Sequence, residues 1–175
     1  MVQKNFDTRL ALLESGKAEF LARGFEDASL RTICANAKVT TGAFYSHFKC
    51  KEDLFVALVE DDLRECEESW EKLADRIAEL AAGGVDGEVA AMDFLLTHRD
   101  LALMLLDCAA GTSFASFKER LAKQLREQLS KTTETDTAHV LVCMKFAELR
   151  ELLRGDYASE QAARITRELA WNPSR

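Results

Sequence analysis

Residues 29–51 read SLRTICANAKVTTGAFYSHFKCK, from Ser29 to Lys51. These 23 residues contain no Asp or Glu and hold Arg31, Lys38, Lys49 and Lys51, a local charge of +4 in a chain whose total is −7. An acid-free basic window on an acidic body is the charge pattern of a module that meets a polyanion. The same stretch has the pattern of two short helices around a three-residue turn. Ser29 is placed to N-cap a helix from Leu30 to Asn36, Ala37-Lys38-Val39 form the turn, and Thr40 caps a second helix reaching His47. Helix, tight turn, helix is the arrangement whose second helix enters the major groove of DNA while the first braces across the backbone. Phe44 and Phe48, at i and i+4, mark the inward face, and Thr41, Gly42 and Tyr45 share another. The Thr40 and Thr41 hydroxyls sit where peptide N–H groups favour phosphate. Gly42 lets the backbone approach DNA, and Tyr45, His47 and Lys51 reach phosphate oxygens beside the groove. The structural alternatives are that His47 caps a helix, that Tyr45 is part of the core, and that Arg31 pairs with Glu26 or Asp27.

Outward from this stretch, the 175-residue chain suits one domain or a domain with an appended module, and 47% hydrophobic residues are enough for a core. A single proline, Pro173, and eight scattered glycines leave too little turn chemistry for a strand-rich fold. The expected class is all-α. The helices are expected at about 7–22, ending at Gly24; 30–36; 40–47; 51–82, ending at Gly83-Gly84; 86–97; 101–110; 114–131; 136–154; and 159–170. Two are apolar nearly all round. Leu101 to Ala110 has Asp107 as its one polar residue, and Ala138 to Ala147 has only His139 and Lys145. Such a helix needs cover all round. The first suits the centre of a bundle. The second lies near the C-terminus, where another subunit is the economical cover.

Five cysteines, Cys34, Cys50, Cys66, Cys108 and Cys143, are widely spaced and form no CxxC pair. No metal site, disulfide framework or cofactor is expected. The N-terminus has the charges of no signal peptide, and the longest apolar-rich run is half the roughly 20 residues a membrane span requires. A cytoplasmic protein is expected. His98-Arg99-Asp100-Leu101 imitates the start of a kinase catalytic loop, but the asparagine position is Leu105 and no other kinase motif is present. No enzyme is expected.

Arg9 to Phe55 resembles the N-terminal DNA-binding region of the TetR/AcrR family of one-component transcriptional regulators. The matching residues include Arg9, Leu12-Leu13, Phe20, Arg23-Gly24-Phe25, Ser29-Leu30-Arg31, Ile33, Ala37, Val39-Thr40, Gly42, Phe44-Tyr45, His47-Phe48, Lys51-Glu52 and Leu54-Phe55. The resemblance implies a helix-turn-helix domain at residues 1–50 and a helical ligand-binding and dimerisation domain at 51–175. It implies contacts to phosphate or a flanking base from Ser29 and Arg31. Thr40, Thr41, Gly42 and Ala43 would face the groove, and Tyr45, His47 and Lys51 would grip the backbone. Lys38 stands where the family usually has glycine; in a left-handed backbone its side chain costs about 1–2 kcal/mol. Ser15-Gly16 and Glu19 replace apolar residues, so a looser first helix is expected.

For the second domain, the resemblance implies a homodimer built on the last two helices, with His139, Val142, Phe146, Leu149, Leu153, Ile165 and Leu169 as interface candidates. Candidates for a small-molecule effector site are Trp70, Phe94, His98, Met104, Asp107, Phe117 and Met144. Asp107 must be paired, protonated or open to a cavity. Two-fold symmetry implies double-stranded palindromic operator DNA with half-sites ~34 Å apart. The expected function is a regulator, in the sense of a repressor, released by its ligand. The alternative is a helical small-molecule-binding or redox-sensing protein without specific DNA recognition, with Cys34 or Cys50 as a thiol switch.

Overall fold

The computed structural model describes residues 2–65, 85–131 and 133–169. All regular elements among them are helical: α1 (Val2–Asp27), α2 (Leu30–Asn36), α3 (Thr41–Tyr45), α4 (Lys51–Glu65), α5 (Val85–Thr97), α6 (Arg99–Leu103) continuing as a π-helical turn (Met104–Cys108), α7 (Ser116–Leu129), α8 (Thr135–Arg154) and α9 (Ser159–Leu169). The expected extension of α4 to residue 82 and the Gly83-Gly84 stop lie outside the described residues. No helix among the described residues is long and apolar enough to cross a membrane.

The first four helices share an aromatic core. Leu12, Phe20, Ile33, Phe44, Leu54 and Phe55 are fully buried. Phe55 meets Phe20 edge-on at 5.2 Å and Phe25 at 5.6 Å, the ring geometry that quadrupoles favour. Gly24 bends α1 with φ 75 and ψ 166, and helical bonding then resumes for one turn to Asp27. Only glycine adopts that backbone cheaply. The core continues past the boundary drawn at residue 50, because Leu54, Phe55 and Leu58 of α4 complete it.

The expected looseness of α1 is corrected. A Cβ on Gly16 would lie 2.6 Å from Leu54 Cδ2, so the missing side chain is what lets α1 and α4 approach. The Ser15 hydroxyl donates to the Ile33 carbonyl at 2.9 Å, tying α1 to α2. Glu19, buried, accepts from the Ser29 N–H at 3.1 Å and pairs with Arg23 at 3.4 Å.

In the C-terminal half, residues 101–106 are all buried, as the central helix of a bundle must be. The chain turns at Gly111 and enters α7, which packs on α8, while α9 packs on α5 with Ser159 Oγ donating to Asp93 Oδ1 at 2.8 Å. The two halves are tied at several points. Ser113 N–H donates to Glu52 Oε1 at 2.8 Å. Arg154 donates to Asp107 at 2.8 Å and to the Leu21 carbonyl at 3.3 Å, joining α8, the π turn and α1.

Candidate nucleic-acid interface

The turn between α2 and α3 is set by backbone chemistry. Val39 N–H reaches the Cys34 carbonyl at 3.0 Å and Lys38 N–H the Ala35 carbonyl at 3.1 Å. That pair of bonds is a Schellman C-cap, which requires a left-handed residue between them. Lys38 supplies it with φ 56, a lysine where glycine is the unstrained choice. Ser29 Oγ accepts from Thr32 N–H at 3.4 Å and Thr40 Oγ1 from Ala43 N–H at 3.1 Å, so both capping hydroxyls orient their helices as their positions imply. Ser46 Oγ closes α3 by donating to the Gly42 carbonyl at 3.2 Å.

Phe44 and Phe48 are buried and turn α3 so that Thr40, Thr41, Gly42 and Tyr45 are exposed. Ala43 and His47 are half-buried, as is Ser29. Tyr45 is 57% exposed and rests edge-on against Phe44 at 5.4 Å, which separates it from the core. Arg31, Lys38 and Lys49 are exposed, and among the described residues their side chains have no ion-pair partner. The pairing of Arg31 with Glu26 or Asp27 is therefore absent. The stretch thus exposes hydroxyls, a bare backbone at Gly42, a phenol and three cations, and Asp53, an acid just beyond it, accepts from the Lys49 N–H at 2.9 Å. Lys49 was not among the candidates; its place in the acid-free window was the signal.

Lys51 is the correction. Its ammonium donates to the carbonyls of Phe25, Glu26 and Ala28 and lies 4.5 Å from the centre of the Phe25 ring. An ammonium has three protons. All three are used to close the C-terminal end of α1, so Lys51 here holds the fold and does not reach outward to phosphate.

The thiol readings separate by burial. Burial pushes the Cys34 thiol up from its ordinary value, against the thiolate that redox chemistry needs. Cys50 is exposed. Cys108 is pushed up to about 11 by burial and by neighbouring Asp107.

The effector candidates are not brought together. Phe94 stacks near His98 at 4.7 Å, Met104 and Phe117 are in the core, and Met144 is exposed. Trp70 lies outside the described residues. Asp107 is spoken for by Arg154, so its ion pair rather than a cavity explains a carboxylate in that run. The interface candidates divide as well. Val142, Leu149 and Leu153 are buried in the chain's own core, out of a second subunit's reach. His139 and Leu169 are exposed, and Phe146 and Ile165 half-buried. The outward apolar residues of α8 are Val140 and Met144, 54% and 60% exposed. Met144 borders a groove of about 160 Å³ with Leu125, Leu129, Leu141, Val142 and Leu169. Of the α8 candidates, His139 thus faces outward, Phe146 is half-buried, and Val142, Leu149 and Leu153 face the chain's own core.

Residues 12–58 match the sequence profile of the bacterial regulatory proteins of the tetR family. Over that stretch the chain is similar to the tetR family. Among its relatives, the uncharacterized HTH-type transcriptional regulator YdgC of Bacillus subtilis is 28% identical over 130 residues, covering 74% of this chain and 64% of YdgC. The HTH-type transcriptional repressor AcnR of Corynebacterium diphtheriae is 32% identical over 90 residues, 51% of this chain and 40% of AcnR. The match thus spans under two thirds of either relative. A TetR-like transcriptional regulator from Rhodococcus sp. RHA1 has the same fold at 20% identity, with a TM-score of 0.56 over 94% of this chain and 93% of that one. The tetR-family match ends at residue 58, in α4, while the core runs on into the C-terminal half, where Phe114 lies 6.5 Å from Phe55.

Proposed function

We propose that this protein is a one-component transcriptional regulator that binds palindromic double-stranded operator DNA as a homodimer. It acts as a repressor and is released by a small-molecule effector in the C-terminal helices. One observation carries the reading: α3 and its cap present Thr40, Thr41, Gly42 and Tyr45 to solvent, and the flanking Arg31, Lys38 and Lys49 are exposed with no ion-pair partner among the described residues. Phosphate attraction from the cations positions the helix, and the short α3 side chains let it sit deep enough to touch base edges. The outward apolar face of α8, with Val140 and Met144, suits a second copy of the chain, which would set two recognition helices about one DNA turn, ~34 Å, apart. The names of AcnR and of BepR of Brucella suis, the latter 40% identical over 53 residues that make up 30% of this chain and 25% of BepR, support the repressor sense. The site of action is where the chromosome is, the cytoplasm.

The test is a titration of the full chain against the palindrome upstream of its own coding region and a scrambled duplex, at two salt concentrations. Selective binding that weakens with salt is expected, with Tyr45→Ala lowering affinity about tenfold or more at unchanged helicity. Equal, weak binding to both duplexes would end this reading.

A further inference from the structure

A cleft of about 380 Å³ opens where α1 and α4 meet the connection between α5 and α6, lined by Lys17, Asp62, Thr97, His98, Arg99 and Asp100. Its volume falls at the small end of ligand sites. It is more than twice the 160 Å³ of the apolar groove on α8. Leu96 and Leu101 complete the lining, so polar and ionisable side chains dominate its walls, which disfavours a wholly apolar guest and favours a small, water-soluble one.

The charges of the lining can be assigned one by one. Lys17 Nζ donates to both oxygens of Asp62, at 3.0 and 3.1 Å, so these two neutralise each other. Arg99 and Asp100 are half-buried, and neither has an ion-pair or side-chain hydrogen-bond partner among the described residues. His98, beside the Phe94 ring at 4.7 Å, makes no capping bond to α6. One cation, one carboxylate and an imidazole thus face the cleft unspent. A simple anion here would meet Asp62 and Asp100 as well as Arg99. A metal ion lacks a ligand set, since no group of three His, Cys, Asp or Glu is placed to hold one among the described residues. A molecule carrying both a carboxylate and an ammonium satisfies both free charges at once, and paired charges in a half-buried site bind most strongly as charge-assisted hydrogen bonds.

We infer that this cleft binds a small zwitterion of the amino-acid class, its carboxylate on Arg99 and its ammonium on Asp100. The inference names the effector class and so rests on the regulator reading. Lys17 and Asp62 belong to the N-terminal helices, and His98, Arg99 and Asp100 to the C-terminal ones. A guest therefore touches both halves and biases how they sit together.

Calorimetric titration of the full chain with the free amino acids, each beside its des-amino carboxylate and its decarboxylated amine, tests this. At least one amino acid is expected to bind saturably and both of its half-molecules at least tenfold more weakly. Arg99→Ala and Asp100→Asn should each weaken binding about tenfold or more, with helicity and ligand-free operator binding unchanged. No binding by any amino acid overturns the inference, as does binding that both variants leave intact or a carboxylate that binds as tightly as its amino acid. Operator binding measured on the same samples separates the two readings. A chain that binds operator but no amino acid loses only the cleft, and one that binds an amino acid but no operator loses only the regulator.

Discussion

The N-terminal helices bury aromatic rings, and the polar groups beside those rings have backbone partners. Ser15 reaches Ile33, Glu19 reaches Ser29, and Lys51 reaches the end of α1. The C-terminal helices bury mostly aliphatic residues, and their ion pairs, such as Asp107 with Arg154 and Lys145 with Glu148, join one charged side chain to another. In the first region the outer surface must present particular atoms at a particular place, so turn, caps and core are each fixed by a specific residue. In the second, apolar positions need only fill space, and many residues fill it equally well. A recognition surface therefore constrains sequence far beyond the residues that touch the partner.

Truncating each core probes that contrast most severely. Phe20→Ala should cost about 3–5 kcal/mol and Leu153→Ala about 2–5 kcal/mol in urea unfolding. The ties through Arg154 and Glu52 join the halves, so one cooperative transition is expected in both variants. Two separated transitions would make the halves independent folding units. The face of α8 gives a smaller effect of a different kind. Val140→Asp with Met144→Asp should weaken dimerisation at least tenfold in sedimentation while leaving chain stability within about 0.5 kcal/mol. Val142→Ala, from the buried stripe, should do the reverse. The smallest effect is Lys38→Gly, expected to raise stability by about 1 kcal/mol by relieving the left-handed backbone. Operator affinity should fall in the same variant, through loss of a phosphate-facing charge. Unchanged affinity would remove Lys38 from the contact surface.

The same contrast explains what was legible in the sequence. Ser29, Thr40 and the three-residue turn announce α2 and α3 because capping chemistry is local, and the structure has α2 at the bounds read from the residues. The inward turn of Phe44 and Phe48 was legible for the same reason. The role of Lys51 was not, because its partners lie more than 20 residues away, and only folding brings their carbonyls beneath it. Asp107 was recognised as needing a partner, but Arg154 is 47 residues distant and could not be named. The outward face of α8 was misjudged because its apolar residues surround the helix, so periodicity carries no phase. Gly16 and Glu19, read as defects, are fitted to Leu54 and Ser29 respectively, neighbours that sequence distance hides.

The lysine clasp at the end of α1 also bears on how the protein competes with dissolved ions. An ammonium whose three protons are held by neutral carbonyls keeps its charge, but it has no proton left to donate to a phosphate of the proposed operator. Of the four cations in the acid-free window, only Arg31, Lys38 and Lys49 are then exposed with donors to spare for phosphate. If operator is bound as proposed, the slope of log affinity on log salt should be shallower by about 0.9 for each Lys51 that makes no phosphate contact. On the proposed reading, a grip that depends less on ionic strength would leave more of the binding to the exposed atoms of α3, and so more to the choice between one operator and another.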